Sequence, residues 1–353
     1  MRLPAEWEPH AATWITWPQN ARDWPGKFAP MPWAFAEIIR KVANSAPVDG
    51  QTERARVLVG DEKTEKRARG QLAKAHVDMD RVDFFRIPTD RGWMRDCGPC
   101  FVERGGPANK TVAVSGFGFD AWSKYPEFRL DAKVPGAVAK LLGMEILPAM
   151  HKGRLVVFEG GAIDINGRGT LVTTEECCLD PEVQVRNPGF THADYEAVFA
   201  SSMGVSNTIW LRNGIKGDDT HGHVDDFCRF TDARTLVLCE EKNADDENHS
   251  ILEENREILE GARLEDGSRP QVIRLPMPAP LFFDGLRLPA SYANFLITNA
   301  AVLVPTFNDP NDRLALGILS ELFARPVIGI HAVDLVWGLG TIHCLTRQEP
   351  LGK

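Results

Sequence analysis

Four stretches of this chain read as β-hairpins, and their repetition constrains the fold more than any other feature. Cys100-Phe101-Val102 and Thr111-Val112-Ala113-Val114 flank the glycine-rich turn Gly105-Gly106-Pro107-Ala108-Asn109. Ala162-Ile163-Asp164-Ile165 and Thr170-Leu171-Val172-Thr173 flank Asn166-Gly167-Arg168-Gly169, whose Asn-Gly pair suits a tight turn. Phe227-Cys228-Arg229-Phe230 and Thr235-Leu236-Val237-Leu238 flank Thr231-Asp232-Ala233-Arg234, and residues 292–298 and Val302-Leu303-Val304 flank Asn299-Ala300-Ala301. Asp96, Gly160, Asp225 and Asn294, at or just ahead of these hairpins, lie about 65 residues apart. A fifth unit requires a tail strand at 341–346 to pair with the head strand Ala12-Thr13-Trp14-Ile15-Thr16-Trp17. This layout predicts an α/β fold: one closed, pseudo-symmetric ring, a single domain over residues 1–353, sealed by its N- and C-terminal strands.

Helical periodicity fills the intervals, at about 33–45, 61–76, 131–142, 191–203, 246–262 and 311–324. Asp131 and Thr191 stand where N-caps belong, the segment 308–312 offers several more, and Gly143 and Gly204 stand at C-terminal stops. Pro276-Met277-Pro278-Ala279-Pro280 reads as a rigid surface loop rather than a linker.

Charge and cysteine usage narrow the function. A formal charge of −9 and a pI near 5.6 argue against a nucleic-acid partner, which needs clustered Lys and Arg. No stretch reads as a signal peptide or a membrane span. Seven cysteines, an odd number with Cys177 and Cys178 adjacent, suit reduced thiols in a cytoplasm.

If the ring is closed, the segment leading into each hairpin faces a shared centre. These segments are Gly92-Trp93-Met94-Arg95-Asp96-Cys97-Gly98-Pro99, Phe158-Glu159-Gly160-Gly161, the run 218–226 containing His221, His223, Asp225 and Asp226, Ser291-Tyr292-Ala293-Asn294, and the tail with Cys344. On an extended strand His223 and Asp225 share a face while Asp226 points away. A histidine beside a carboxylate can act as an acid or base, or as a nucleophile's partner; the same residues suit a hydrogen-bonded turn. His343, next to Cys344, faces the opposite side of a strand, which leaves His223 as the better base for that thiol. His221-Gly222-His223 with nearby aspartates opens a metal reading, although no second histidine cluster supplies the usual ligands. Cys97-Gly98-Pro99-Cys100 is a lone CxxC without a partner pair. Several carboxylates meeting in one pocket would select a cation, a planar guanidinium above all, because each N–H edge can pair with a carboxylate. Trp93 and Trp122 are candidates to stack on its face, or simply to pack.

In these segments the chain resembles the agmatine deiminase and Porphyromonas-type peptidylarginine deiminase family, of the guanidine-modifying pentein superfamily. The matching stretches are Trp7-Glu8-Pro9-His10, Trp93-Met94-Arg95-Asp96-Cys97-Gly98-Pro99, Glu159-Gly160-Gly161, Gly222-His223-Val224-Asp225, Ser291-Tyr292-Ala293-Asn294-Phe295 and Gly340-Thr341-Ile342-His343-Cys344-Leu345-Thr346, in family order over nearly the whole chain. The resemblance implies a five-bladed α/β propeller. It implies Cys344 as nucleophile, His223 as proton carrier, Asp96 and Asp225 as the guanidinium grip, Glu159 as an active-site carboxylate and Asn294 as a polar site residue. It further implies hydrolytic deimination of agmatine to N-carbamoylputrescine and ammonia through a covalent Cys344 thiouronium, without metal or organic cofactor, in a cytoplasmic homodimer. Free arginine, peptidyl-arginine or another alkylguanidine is the alternative substrate; a metal-dependent hydrolase and a non-catalytic cation-binding protein are the competing classes. Asp120, in Gly116-Phe117-Gly118-Phe119-Asp120-Ala121-Trp122, is the candidate attractor for the substrate's cationic tail. Arg91-Gly92 and Thr220-His221 depart from the family pattern, and both bear on how the amine end is recognised.

Overall fold

A computed structural model describes residues 1–106 and 109–352; Pro107 and Ala108, in the first predicted turn, lie outside the described residues. Five times the chain builds the same unit: an antiparallel strand pair, a helix, and a strand returning parallel to the second strand of the pair. Cys100–Arg104 pairs with Thr111–Gly116, helix Val134–Leu142 follows, and Ile146–Pro148 closes the sheet. Asp164–Ile165, Thr170–Thr174, helix His192–Met203 and Asn207–Leu211 repeat this order. So do Cys228–Phe230, Thr235–Glu240, helix Glu247–Gly261 and Gln271–Pro276. The next unit is Leu296–Ile297, Val302–Thr306, helix Pro310–Leu322 and Val327–His331. The fifth is made by the two ends of the chain. Thr346–Pro350 pairs antiparallel with His10–Thr16, helix Met31–Ala43 follows, and Arg54–Val59 lies parallel; helix Glu62–Lys74 then adds Val82–Arg86.

The second strand of each pair sits inside its sheet and carries an apolar run: Ala113-Val114, Leu171-Val172, Leu236-Val237-Leu238, Val302-Leu303-Val304, and Trp14-Ile15 in the unit made by the chain ends. A strand covered on both faces reads as continuous apolar sequence, which is why these segments were legible. Helix boundaries follow local chemistry. Thr191 and Asp194 form a reciprocal capping box, as do Asp309 and Asp312. Gly143 and Gly204 end their helices in the left-handed conformation, at φ 64° and 73°.

Three expectations are corrected. Asp131 does not cap its helix, which begins as a tighter turn at Asp131–Lys133. Its carboxylate instead accepts the backbone N–H groups of Asp90, Arg91 and Gly92, fixing the loop ahead of Trp93. The tail strand starts at Thr346, so Cys344 lies on a turn and not on a strand. Residues Val224–Asp226 form a single 3₁₀ turn, which cancels the alternation expected of His223, Asp225 and Asp226.

Candidate active site

In all five units the segment just before the first strand is a short turn, and these turns supply the candidate residues. Met94–Cys97 carries Asp96, Gly160–Ala162 follows Glu159, Val224–Asp226 follows His223, and residues 292–293 precede Asn294. The turn at 342–345 carries Cys344. A turn projects side chains forward, off the end of the sheet, where a strand would send half of them into its own core.

Packing at the centre is tight enough to exclude a methyl group. A Cβ on Gly161 would lie 2.6 Å from His223 Nδ1, 2.9 Å from Asp96 Oδ1 and 3.1 Å from Asp225 Oδ1. One on Gly340 would lie 2.8 Å from Trp93 Cζ3 and 3.2 Å from Cys344 Sγ. The two glycines therefore mark where His223, Asp96, Asp225 and Cys344 come together.

Asn294 clamps the cysteine turn. Its Oδ1 accepts from Thr341 Oγ1 at 2.7 Å and from His343 N at 3.1 Å, and its Nδ2 donates to Cys344 Sγ at 3.1 Å and to Asp226 Oδ1 at 3.0 Å. The Arg95 N–H donates to Cys344 O, holding the turn from the neighbouring unit. Cys344 Sγ is 3.8 Å from Asp225 Oδ2.

His223 stands 3.8 Å from Asp96 Oδ1 through Nδ1 and 3.7 Å from Glu159 Oε2 through Nε2, beyond hydrogen-bond reach on both sides. Asp96 is fixed independently, by the Gly161 N–H at 2.9 Å and the Trp122 indole N–H at 3.0 Å. Glu159 Oε1 accepts from Arg186 Nε at 3.1 Å. Glu159 Oε2, both His223 nitrogens and Asp225 Oδ1 are buried without a partner among the described residues. The loop before His223 is anchored by two asparagines buried on helix Glu247–Gly261: Asn248 Oδ1 accepts from Lys216 N, and Asn255 Oδ1 from Arg212 N.

Burial pushes the Asp96 carboxyl up, His223 pulls it back, and Asp225 and Glu159 raise it again, to about 6. Burial would raise Glu159 too, but Arg186 and His223 outweigh it and hold the group at about 2. Burial disfavours charge on His223, yet Asp96 and Glu159 hold its pKa well above the ordinary histidine range. The Cys344 thiol is pushed well up by burial, then by Asp225, Asp226 and Asp96. Burial and Asp225 push the Asp226 carboxyl well up in turn. The free site thus holds a protonated thiol and a cationic imidazole among carboxylates.

A cleft of about 190 Å³ opens this centre to solvent, lined by Cys344, Asp96, Trp93 and Trp122 together with Asp23, Arg91, Tyr125 and Asp219. Trp93 stacks on Trp24 at 5.4 Å between centroids. Trp122 occupies a left-handed backbone run, Ala121, Trp122 and Ser123, at φ 55°, 61° and 50°. Asp120 is what ties this run: it accepts from Ser123 N at 2.8 Å and from Ser123 Oγ at 2.7 Å, and it is not among the residues lining the cleft. The structure therefore brings together Cys344, His223, Asp96, Asp225, Glu159, Asn294, Trp93 and Trp122, and leaves Asp120 outside as a turn residue.

Four neighbours of this set escaped the sequence reading. Asp226, expected to point away, meets Asn294, and its carboxylate lies within 4.8 Å of Asp225 and Cys344. His343, set aside by strand geometry, has Nδ1 2.6 Å from Asp225 Oδ2 and Nε2 2.8 Å from Glu6 Oε2. Glu6 also accepts from Arg229 Nη2 at 2.8 Å, and Arg186 anchors Glu159. Adjacency to Asp225 and Cys344 was the only signal for the first two; Glu6 and Arg186 had none. Among the described residues two groups have metal-ligand spacing, Glu159 with Cys177 and His223, and Asp225 with Asp226 and Cys344. His221 belongs to neither, because its Nε2 turns to Asp180 Oδ2 at 2.8 Å.

Residues 2–350 match the family model described as Porphyromonas-type peptidyl-arginine deiminase. The chain belongs to that family. It is 33% identical to an agmatine deiminase of Pseudomonas aeruginosa, over 99% of this chain and 95% of the relative. An agmatine deiminase of Enterococcus faecalis has a similar structure, with a TM-score of 0.85 at 26% identity over 99% of this chain and 95% of that one. A cysteine-to-serine variant of the C. jejuni agmatine deiminase, with substrate bound, gives a TM-score of 0.84 at 26% identity over 99% and 96%. The chain has the α/β fold of these deiminases. Among the described residues, no helix is long and apolar enough to cross a membrane.

Proposed function

We propose that this chain hydrolyses agmatine to N-carbamoylputrescine and ammonia, with Cys344 as the nucleophile. The observation that carries the reading is the set of unpartnered buried atoms on Asp225, Glu159 and His223 about Gly161, beside a thiol that lines the same cleft as Asp96. Such a site is rich in negative charge and leaves carboxylate oxygens of Asp225 and Glu159 without a donor, which a guanidinium corrects on both counts. Near-full coverage by agmatine deiminases of several bacteria supports the choice of substrate.

The chemistry follows from the geometry. Asp96 and Asp225 hold the guanidinium edges while Trp93 and Trp122 bound the cleft. The incoming cation cancels the carboxylate charge that keeps the Cys344 proton in place, and that proton leaves through the cleft. Sγ then attacks the guanidinium carbon. Cationic His223 protonates the departing amino group, ammonia leaves, and an S-alkylthiouronium remains on Cys344. His223, now neutral, takes a proton from water as the water adds to the same carbon. The tetrahedral adduct collapses, Cys344 departs as thiol, and the ureido product is released. Glu159, held by Arg186, keeps His223 charged and oriented. In this reading the five units close as a five-bladed, single-domain α/β propeller, with the free thiols of all seven cysteines kept in a reducing cytoplasm.

Cys344→Ser should lower turnover to below about a ten-thousandth. Wild-type enzyme quenched with agmatine should carry a covalent adduct on Cys344 by mass spectrometry. Unchanged activity in Cys344→Ser would end the mechanism, and turnover of arginine without agmatine would replace the substrate.

A further inference from the structure

The cleft is lined by a carboxylate that the chemistry above does not use, Asp23, together with Arg91, Tyr125 and Asp219. Its side chain is only 1% exposed, and it precedes Trp24, the ring stacked on Trp93. Oδ1 accepts from Arg91 Nη1 at 2.5 Å, and the Arg91 guanidinium in turn lies 3.7 Å over the Tyr125 ring. Oδ2 is buried and has no partner among the described residues. A buried carboxylate oxygen without a donor is costly unless a ligand supplies one.

We propose that Asp23 is the subsite for the distal ammonium of an aminoalkylguanidine, its Oδ2 accepting an N–H of that ammonium while Asp96 and Asp225 hold the other end. The inference rests on the agmatine reading and locates the specificity within it. Asp219 faces the same space, but its Oδ2 already accepts from Tyr125 Oη at 2.6 Å and lies 3.3 Å from Lys124 Nζ. Arg91 spends one donor on Asp23 and its face on Tyr125, and its Nε is buried without a partner among the described residues. It sets the carboxylate so that Oδ2 is the oxygen left over. Asp120, by contrast, has both oxygens committed to Ser123.

The charge of this subsite depends on pH. Burial pushes Asp23 up, Arg91 pulls it back, and Asp131 and Asp219 raise it again, to about 7. The ionised form, which attracts an ammonium, therefore gains as pH rises through neutrality.

The test compares agmatine with butylguanidine, which has the same chain and no amine. Asp23→Asn should raise KM for agmatine about tenfold to a hundredfold, leave kcat within about twofold, and leave both constants for butylguanidine unchanged. In wild-type enzyme the ratio of KM for butylguanidine to KM for agmatine should grow between about pH 6 and 8 and be flat in the variant. An equal loss on both substrates, an unchanged KM for agmatine, or a flat wild-type ratio overturns the inference. The ratio needs no variant, so a folding failure of Asp23→Asn does not shelter the idea. Absence of turnover of either guanidine by the wild type would instead overturn the deimination reading itself.

Discussion

His343 and His223 are both buried, and each lies between two carboxylates, yet they are held in opposite ways. His343 meets Asp225 at 2.6 Å and Glu6 at 2.8 Å, and Glu6 is held again by Arg229. His223 stands 3.8 Å from Asp96 and 3.7 Å from Glu159, both of which are secured by other donors, Gly161 and Trp122 on one side and Arg186 on the other. A ring with both nitrogens spent cannot hand a proton to a newcomer without breaking a bond already made. A ring with both nitrogens free, inside the field of two carboxylates, is charged and uncommitted. In the proposed reaction the difference separates a residue that positions Asp225 from one that moves protons, although the two share a side chain and a neighbourhood.

The largest effect should come from the uncommitted ring. His223→Asn should reduce kcat about a hundredfold to ten-thousandfold with little change in denaturation midpoint, measured by ammonia release and urea melts. Substantial residual activity would leave the site without its proton carrier. His343→Leu should do the reverse. It takes a hydrogen-bond partner from both Asp225 and Glu6 and should cost about 2–4 kcal/mol of stability, with activity falling about tenfold as Asp225 loses its anchor. An inactive His343→Leu with unchanged stability would exchange the two roles. The mildest test is pH. With the Asp96 carboxyl near 6, protonation removes one arm of the guanidinium grip as pH falls, so kcat/KM should be sustained above about pH 6 and decline below it. An acid limb that persisted unchanged in an Asp96→Asn variant with residual activity would assign it to another group.

The repeated hairpins and the six helices were legible because their information is local: apolar runs, capping boxes and glycine stops act within a few residues. Two of the turns that bear the site, at Val224–Asp226 and around Cys344, were read as extended, since a 3₁₀ turn leaves no periodic trace, and Asp226 was lost with the first. Glu6 was out of reach for a different reason. It acts on a histidine 337 positions away, a contact created only when the chain ends meet. Asp23 and Asp120 show the same limit in miniature. Both are acidic residues in loops, and only the donors around them decide that one is spent on a turn while the other keeps a free oxygen.

The pairing of Thr346–Pro350 with His10–Thr16 also governs how long the molecule keeps working. Cys344 hangs two residues ahead of that strand, so a brief opening of the seam withdraws the thiol while the three-stranded sheets of the other four units stay paired. Partial openings of this kind require less free energy than global unfolding and are therefore more frequent. Loss of activity on warming should then run ahead of loss of helix signal, and the exposed thiol would be the first group that an alkylating reagent could mark.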